Sequence, residues 1–183
     1  TWCGGIVMGG GLGLAAASSV RIVTETTLMA MPEISIGLFP DAGANWFLQR
    51  FPFQSGLFLG LTGSRFNGSD AMLGNLAEFA LSSQAREATL AALCQAQWHG
   101  SAHEVIVQTL LSQTCQTLPP SQILAHQADI IQVVTQATFQ QALQQITLLA
   151  PKSAWLQAAA DYVAQGCASS AGLHWLLMQR CRY

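Results

Sequence analysis

Residues 6–14 have the sequence Ile-Val-Met-Gly-Gly-Gly-Leu-Gly-Leu, and residues 31–43 have the sequence Met-Pro-Glu-Ile-Ser-Ile-Gly-Leu-Phe-Pro-Asp-Ala-Gly. The first stretch is an apolar run interrupted by glycines, and the second contains two isolated carboxylates, Glu33 and Asp41. Charged residues make up only 9% of this 183-residue chain, against roughly 25% in an average soluble domain. A carboxylate within an apolar run therefore needs a reason, and these two are the first candidates for a functional role.

Short apolar runs alternate with glycine and proline in the first third of the chain, a pattern typical of alternating strands and helices. We predict strands at 5–8, 21–24 and 27–30, and helices at 12–19, 42–50, 53–61 and 69–74. Glu25 and Thr26 are predicted to form the turn between the second and third strands. Asp41 is the expected N-cap of the helix that follows it.

The rest of the chain is predicted to be helical. Apolar residues recur at helical spacing in residues 83–98, 105–111, 123–134, 139–149, 153–163 and 173–178. The composition changes at the same place, because almost all glutamines lie at or beyond Gln84 whereas most glycines precede it. We therefore expect a mixed α/β region over residues 1–82 and a helical region over residues 83–183.

The composition argues against several classes of function. A net charge of −2 provides no basic surface for a phosphate backbone, so a nucleic-acid partner is not expected. Residues 1–20 carry no charged side chain, but their glycines would break a membrane-spanning helix, so no membrane span is expected. The five cysteines are odd in number and contain no Cys-x-x-Cys pair. This favours reduced, buried thiols in a cytosol-like compartment and no metal site.

The glycine stretch allows more than one interpretation. Gly11, Gly13 and Ala16 fit the Gly-x-Gly-x-x-Ala pattern of dinucleotide-binding folds, with Glu33 near the place of the ribose-binding acid. That interpretation is disfavoured because Pro32 and two short predicted strands stand where a full crossover helix is needed. The remaining alternatives are a tight structural turn, or a turn whose backbone N–H groups bind an oxygen that gains negative charge.

Four motifs together resemble the enoyl-CoA hydratase/isomerase (crotonase) superfamily, and within it the 3-hydroxyisobutyryl-CoA hydrolases. They are Met-Gly-Gly-Gly at 8–11, Met-Pro-Glu at 31–33, Gly-Leu-Phe-Pro-Asp-Ala-Gly at 37–43 and Leu-Thr-Gly at 61–63. This similarity covers about residues 6–70. It implies an α/β fold with the spiral ββα core of the ClpP/crotonase type, of which residues 1–82 would be the C-terminal portion, followed by an α-helical region.

The resemblance implies Gly10, Glu33 and Asp41 as catalytic residues. Gly10 matches the glycine whose N–H binds the thioester carbonyl, and the second N–H of this oxyanion hole comes, in the family, from a segment upstream of Thr1. Glu33 would act on the carbonyl directly or through an activated water, and Asp41 would bind the substrate hydroxyl or orient the attack. The implied substrate-binding residues are Met8, Gly9, Gly11, Phe39 and Pro40.

One position separates the hydrolases from the hydratases. Hydratases of the superfamily carry a glutamate where this chain has Gly13, so that two carboxylates act on one water. Asp41 is the acid that the hydrolase branch has and hydratases generally lack. The resemblance therefore favours hydrolysis of an acyl-CoA thioester. The alternatives are hydration or isomerisation of an enoyl-CoA by Glu33 alone and, from another class, a non-catalytic helical assembly module.

Further properties follow from the same resemblance. No separate cofactor is implied, because CoA is part of the acyl-CoA substrate. The helical region would cover the site or form contacts in a homo-oligomer, and the location would be cytoplasmic, or the mitochondrial matrix in a eukaryote. Thr1 falls inside the family's α/β core, so we expect the chain to be a fragment. The four histidines, which have no expected nucleophile as partner, are predicted on helices or at the surface: His99, His103, His126 and His174.

Overall fold

The computed structural model describes residues 1–111 and 117–180. The strands in these residues are β1 (Trp2–Cys3), β2 (Ile6–Met8), β3 (Ile22–Val23), β4 (Leu28–Ala30), β5 (Phe66–Asn67) and β6 (Phe79–Ala80). The α-helices are α1 (Gly10–Ala16), α2 (Ala44–Phe47), α3 (Ser55–Thr62), α4 (Gly68–Leu73), α5 (Arg86–Gln95), α6 (Ala102–Leu111), α7 (Gln122–Ala125), α8 (Gln127–Val134), α9 (Phe139–Leu149), α10 (Ala154–Gln165) and α11 (Ala168–Arg180).

The strands form two small sheets, ordered β1-β3-β6 and β2-β4-β5. The pairs are parallel except for β4 with β5, which is antiparallel. Consecutive strands β3 and β4 lie in different sheets, so the turn at Glu25 and Thr26 leads from one sheet to the other and closes no hairpin. The three predicted strands are confirmed. β1, β5 and β6 were not predicted, because two residues are too few to show a strand period.

The predicted helix at 42–50 is shorter and begins differently. α2 starts at Ala44, its N-cap residue is Gly43, and no side chain caps it. The prediction that Asp41 caps this helix is therefore wrong. The reason is local, since Ala42 and Gly43 have φ angles of 47° and 82°, and these two left-handed residues turn the chain between the carboxylate and the helix.

A continuous apolar core connects the mixed first part of the chain with the helices that follow. Every residue of α3 is buried, and α3 packs against α8, α10 and α11. Phe58 of α3 stacks on Trp155 of α10 with ring centroids 5.4 Å apart. Close-packed contacts of this kind contribute more stability than any single polar contact on the surface.

A buried carboxylate fixes α7 to α4. Asp70 is fully buried, and its Oδ1 accepts hydrogen bonds from the Ser121 hydroxyl at 2.5 Å and from the Ile123 N–H at 3.0 Å. Its other oxygen accepts the N–H of Asn67 at 3.0 Å and so completes a capping box at the start of α4. A buried charge is tolerated when each oxygen has donors, so Asp70 is a structural residue.

His174 of α11 lies in the core. It is fully buried, and neither of its ring nitrogens has a hydrogen-bond partner among the described residues. Burial lowers the pKa of this imidazole to about 4. The ring packs on α3 where Gly60 leaves space, since a Cβ built on Gly60 would lie 2.2 Å from its Nε2. The prediction that the histidines lie on helices holds for His174, but burial of its ring was not expected.

The described thiols are free, and they differ in burial. Cys3 is buried, Cys167 is half-buried and Cys94 is exposed, so burial was predicted wrongly for Cys94. Cys115 and Cys181 lie outside the described residues. Over residues 1–111 and 117–180, no helix has the length and apolar character needed to cross a membrane.

Candidate active site

The glycine stretch forms the connection from β2 to α1. Gly9 has φ 54° and ψ −127°, a conformation that favours glycine, and its N–H donates to the carbonyl of Ala30 in β4 at 3.2 Å. Gly10 is the first residue of α1, where the helix cannot supply an acceptor for the N–H group. A donor is therefore available at the position that the sequence predicted for the oxyanion hole.

Glu33 begins a 3₁₀ turn, Glu33–Ile36, that follows β4. Gly37 closes this turn with φ 78°, and the carbonyl of Glu33 accepts the N–H groups of Gly37 and Leu38. The side chain of Glu33 is only 5% exposed, and its Oε2 has no hydrogen-bond partner among the described residues. A buried carboxylate oxygen without a partner is costly, which makes Glu33 a candidate for a functional residue.

The Glu33 carboxylate lies against the start of α1. A Cβ built on Gly9 would approach Glu33 Oε1 to 2.9 Å, so any larger residue at position 9 would displace the carboxylate. Burial raises the pKa of Glu33, and the nearby Asp41 carboxylate raises it further. A carboxylate with a raised pKa can exchange protons closer to neutral pH.

Asp41 lies on the exposed side of the same region. It is followed by Ala42, which packs on α1 at Gly13, where a built Cβ would lie 2.6 Å from Ala42 Cβ and 2.7 Å from Ala42 O. This contact brings the segment with Asp41 close to the turn with Glu33. It also fills the space in which a side chain at position 13 would have to stand.

The five predicted substrate-binding residues are distributed around these groups. Met8 ends β2 opposite Ala30 and is half-buried, and Gly9 and Gly11 flank Gly10 at the start of α1. In the segment between Glu33 and Asp41, Phe39 is half-buried and Pro40 is buried. The fold thus gathers the predicted residues around β2, α1 and the chain after β4, and whether they bind substrate stays a prediction.

Two features next to Asp41 could not be expected from the motifs. Asn45 of α2 has its Oδ1 buried and without a hydrogen-bond partner in the described part of the chain, so a ligand donor could satisfy it. The guanidinium of Arg50 lies 3.4 Å above the ring centroid of Trp46, which is 47% exposed. This cation–π pair places a positive charge over an exposed aromatic face on the segment that follows Asp41.

His126 contacts the hydroxyl group of Ser153, the N-cap residue of α10. Ser153 Oγ lies 3.3 Å from His126 Nε2, and Asp129 Oδ2 lies 3.7 Å from His126 Nδ1. The second distance is too long for a hydrogen bond, and Lys152 pairs with Asp129 at 2.5 Å. Ser153 Oγ also accepts the N–H of Leu156 as the N-cap of α10. The group has the geometry of a helix cap, and the role of Lys152 there is structural.

The described residues contain no group of three His, Cys, Asp or Glu side chains that could hold a metal ion. A cavity of about 570 Å³ lies away from Glu33 and Asp41, between the start of the chain and helices α5 and α6. Apolar side chains, among them Val20, Leu90 and Ile106, form most of its lining, and none of the predicted site residues reaches it.

Known proteins resemble this chain in sequence and in fold. The model of the enoyl-CoA hydratase/isomerase family matches residues 1–183. The chain is 43% identical over 107 residues to a probable 3-hydroxyisobutyryl-CoA hydrolase 2 of Arabidopsis thaliana. These aligned residues are 58% of this chain and 28% of that relative. It is 52% identical over 73 residues to the mitochondrial 3-hydroxyisobutyryl-CoA hydrolase of Xenopus tropicalis, covering 40% of the chain and 19% of that relative.

A solved structure shares the fold. A carnitinyl-CoA dehydratase from Mycobacterium thermoresistibile superposes with a TM-score of 0.80 and 29% identity, over 95% of this chain and 48% of that chain. The chain thus spans less than a third of the curated relatives' length and about half of the dehydratase. The crotonase fold expected from the motifs is confirmed. The whole-length family match, the fold and the buried glutamate beside a glycine turn lead to one conclusion: the chain belongs to the enoyl-CoA hydratase/isomerase family.

Proposed function

We propose that the protein hydrolyses an acyl-CoA thioester of the 3-hydroxyisobutyryl-CoA type. The observation that carries this proposal is the contact of Ala42 with Gly13, which leaves Glu33 and Asp41 as the acids of the site and no room for a third at position 13. The curated relatives that are 43% and 52% identical are named as hydrolases of this substrate, which supports it.

In this proposal the N–H of Gly10 donates to the thioester carbonyl oxygen and stabilises the negative charge that develops there. Glu33 acts by one of two routes. Its carboxylate attacks the carbonyl carbon and expels the CoA thiolate, leaving an anhydride that water then hydrolyses, or it takes a proton from a water that attacks instead. Both routes yield the free acid and CoA thiol, and neither needs a cofactor beyond the CoA of the substrate.

Asp41 has a different role from Glu33 because its environment differs. Asp41 is exposed to solvent, whereas the Glu33 carboxylate is buried. An exposed carboxylate accepts hydrogen bonds at little cost, which suits binding of a substrate hydroxyl. Its negative charge also raises the pKa of Glu33, so Asp41 influences the protonation of the reacting group.

A second candidate is hydration or isomerisation of an enoyl-CoA with Glu33 as the single base. The observation that favours it is the superposition on a protein named as a carnitinyl-CoA dehydratase. Addition of water across a double bond is served by two carboxylates that share one water. Because Ala42 occupies the space at position 13, we rank this function below hydrolysis.

The test uses the full-length protein. Release of CoA thiol from 3-hydroxyisobutyryl-CoA is measured with a thiol reagent, and loss of the double bond in crotonyl-CoA is followed by absorbance. We expect thiol release, and a loss of more than about 100-fold in Glu33→Gln, which removes the reacting group. Glu87→Gln is the matched control, because Glu87 is exposed on α5. Equal activity of parent and Glu33→Gln would contradict the role of Glu33.

The same protein samples test the remaining proposals. Absence of acyl-CoA binding by titration calorimetry, in a folded sample, would favour the non-catalytic assembly module. Sedimentation would establish whether the protein is a homo-oligomer. A cytoplasmic location, or a mitochondrial one in a eukaryote as the name of the Xenopus relative states for that protein, is proposed on the family likeness alone.

A further inference from the structure

The turn that carries Glu33 is held by the helical region. The N–H of Cys167 donates to the carbonyl oxygen of Ile34 at 2.8 Å, so the residue directly after Glu33 is bonded to the junction between α10 and α11. The side chain of Ile34 is only 1% exposed. Its main chain and side chain are therefore both fixed by contacts on the side away from solvent.

Gly166, the residue before Cys167, makes this contact sterically feasible. A Cβ built on Gly166 would lie 2.7 Å from Tyr162 O, 3.3 Å from Ile34 Cδ1 and 3.4 Å from Ile34 O. The backbone of Gly166 has φ −79° and ψ 172°, an extended conformation that any residue can adopt. A Cβ at position 166 would therefore collide first with the carbonyl oxygen of Tyr162 and would also press on the side chain of Ile34 in the Glu33 turn, whereas the backbone conformation itself does not require glycine.

The position of the Glu33 carboxylate depends on this backbone support. Its Oε2 has no hydrogen-bond partner among the described residues, so no bond at that oxygen holds it against a shift of the turn. A displacement of about 1 Å in a reacting group can lower a rate by about 100-fold. A shift of the Glu33 turn would also change how deeply the carboxylate is buried.

We propose that Gly166 and the backbone N–H of Cys167 are positioning groups for Glu33, through which the α10–α11 junction sets the place of the reacting carboxylate. This inference rests on the proposed hydrolase function for its kinetic consequence only. The dependence of the Glu33 environment on the α10–α11 junction is a structural statement, and it can be measured without an enzyme assay.

The first variant is Gly166→Ala in the full-length protein. Its Cβ would press on Tyr162 O and on Ile34, and we expect kcat to fall by about 10- to 100-fold while KM changes by less than about 2-fold. The matched control is Gly172→Ala in α11, where a Cβ would meet only the Phe139 ring at 3.5 Å or more. We expect this control to remain within about 2-fold of the parent in both constants.

The second pair of variants changes only the hydrogen bond. Cys167→Pro removes the N–H that donates to Ile34 O, and the ψ of Gly166 suits a residue that precedes proline. Cys167→Ser keeps the N–H and the small side chain. We expect Cys167→Pro to lower kcat as Gly166→Ala does. We expect Cys167→Ser to keep kcat within about 2-fold of the parent value.

A direct readout is the titration of Glu33 by NMR in protein labelled with ¹³C at the glutamate carboxyl carbons. The signal that disappears in Glu33→Gln belongs to Glu33. We expect its raised pKa to move toward the ordinary value in Gly166→Ala and Cys167→Pro, and to stay in place in Gly172→Ala and Cys167→Ser. An unchanged pKa and kcat in the first two variants would overturn the proposal. A parent that releases no thiol would refute the hydrolase function and leave this titration as the deciding result.

Discussion

Ala42 occupies the space that a side chain on Gly13 would need: a Cβ built on Gly13 would lie 2.6 Å from the Cβ of Ala42 and 2.7 Å from its carbonyl oxygen. Both atoms belong to the segment directly after Asp41. The absence of an acid from position 13 and the position of Asp41 are therefore one structural feature. The segment that carries Asp41 packs in the space that a glutamate at position 13 would need.

Gly13→Glu is expected to destabilise the protein and not to create a hydratase. The new side chain collides with Ala42, and overpacking of this kind costs about 1–3 kcal/mol of the free energy of unfolding. Urea denaturation measures this loss. Gly11→Ala is the control for stability, since nothing lies within 4 Å of a Cβ built on Gly11. A Gly13→Glu variant that is as stable as the parent and hydrates crotonyl-CoA would contradict the explanation.

Asp41→Asn is expected to move the pH profile of activity. The Asp41 charge raises the pKa of Glu33, and Glu33 reacts as a carboxylate, so activity of the parent falls as the pH drops through that raised pKa. Without the charge, the acidic limb of kcat/KM should lie at lower pH. The pH dependence of thiol release measures this shift, with Asp161→Asn on α10 as control. A limb that stays in place would show that the two carboxylates do not interact.

Glu33→Gln is expected to stabilise the protein at neutral pH. In the unfolded chain Glu33 ionises at its ordinary pKa of about 4.3, whereas in the folded protein burial raises its pKa. Ionisation of Glu33 therefore lowers the free energy of unfolding as the pH rises from the ordinary pKa toward the raised one. The glutamine variant does not ionise and does not lose this stability. Urea denaturation at pH 7 and at pH 4 should show a gain that shrinks at the lower pH, and Glu87→Gln should show none.

His174 is expected to make the stability depend on pH in the acidic range. Its pKa is about 4 in the folded protein and about 6.5 in the unfolded chain, so the unfolded state binds more protons between these values. Stability from this group is complete above pH 6.5 and falls as the pH drops toward 4, by at most about 1.4 kcal/mol per pH unit. In His174→Leu, thermal denaturation at several pH values should show a smaller slope. An unchanged slope would contradict the burial of a neutral ring.

The sequence alone predicts much of the fold, because its signals are local. Apolar periods indicate the long helices, and glycine and proline mark where elements end, as Gly37 and Gly63 do with left-handed conformations. The strands β5 and β6 carry no such signal, since two residues take their conformation from the strands that they pair with. The sheet to which β3 and β4 belong also depends on distant partners.

The candidate site divides in the same way. Gly10, Glu33 and Asp41 lie within one short stretch of motifs, so their proximity could be expected from the sequence. The apolar sequence around Glu33 also indicates a buried carboxylate, but it does not reveal that Ile34 is fixed by Cys167 through a hydrogen bond between distant parts of the chain. The left-handed conformation of Ala42 was equally hidden, since alanine gives no signal for it.

The division of the six strands between two sheets also has a kinetic consequence. Trp2 pairs with Ile22, and Ile22 pairs with Phe79, so the first sheet cannot close until the chain has been synthesised well beyond β5. The contact order of this sheet is high, and folding rates fall as contact order rises. During synthesis the backbone groups of β3 that pair with β6 therefore stay without their strand partner until β6 has emerged, and an unpaired strand edge of this kind favours aggregation.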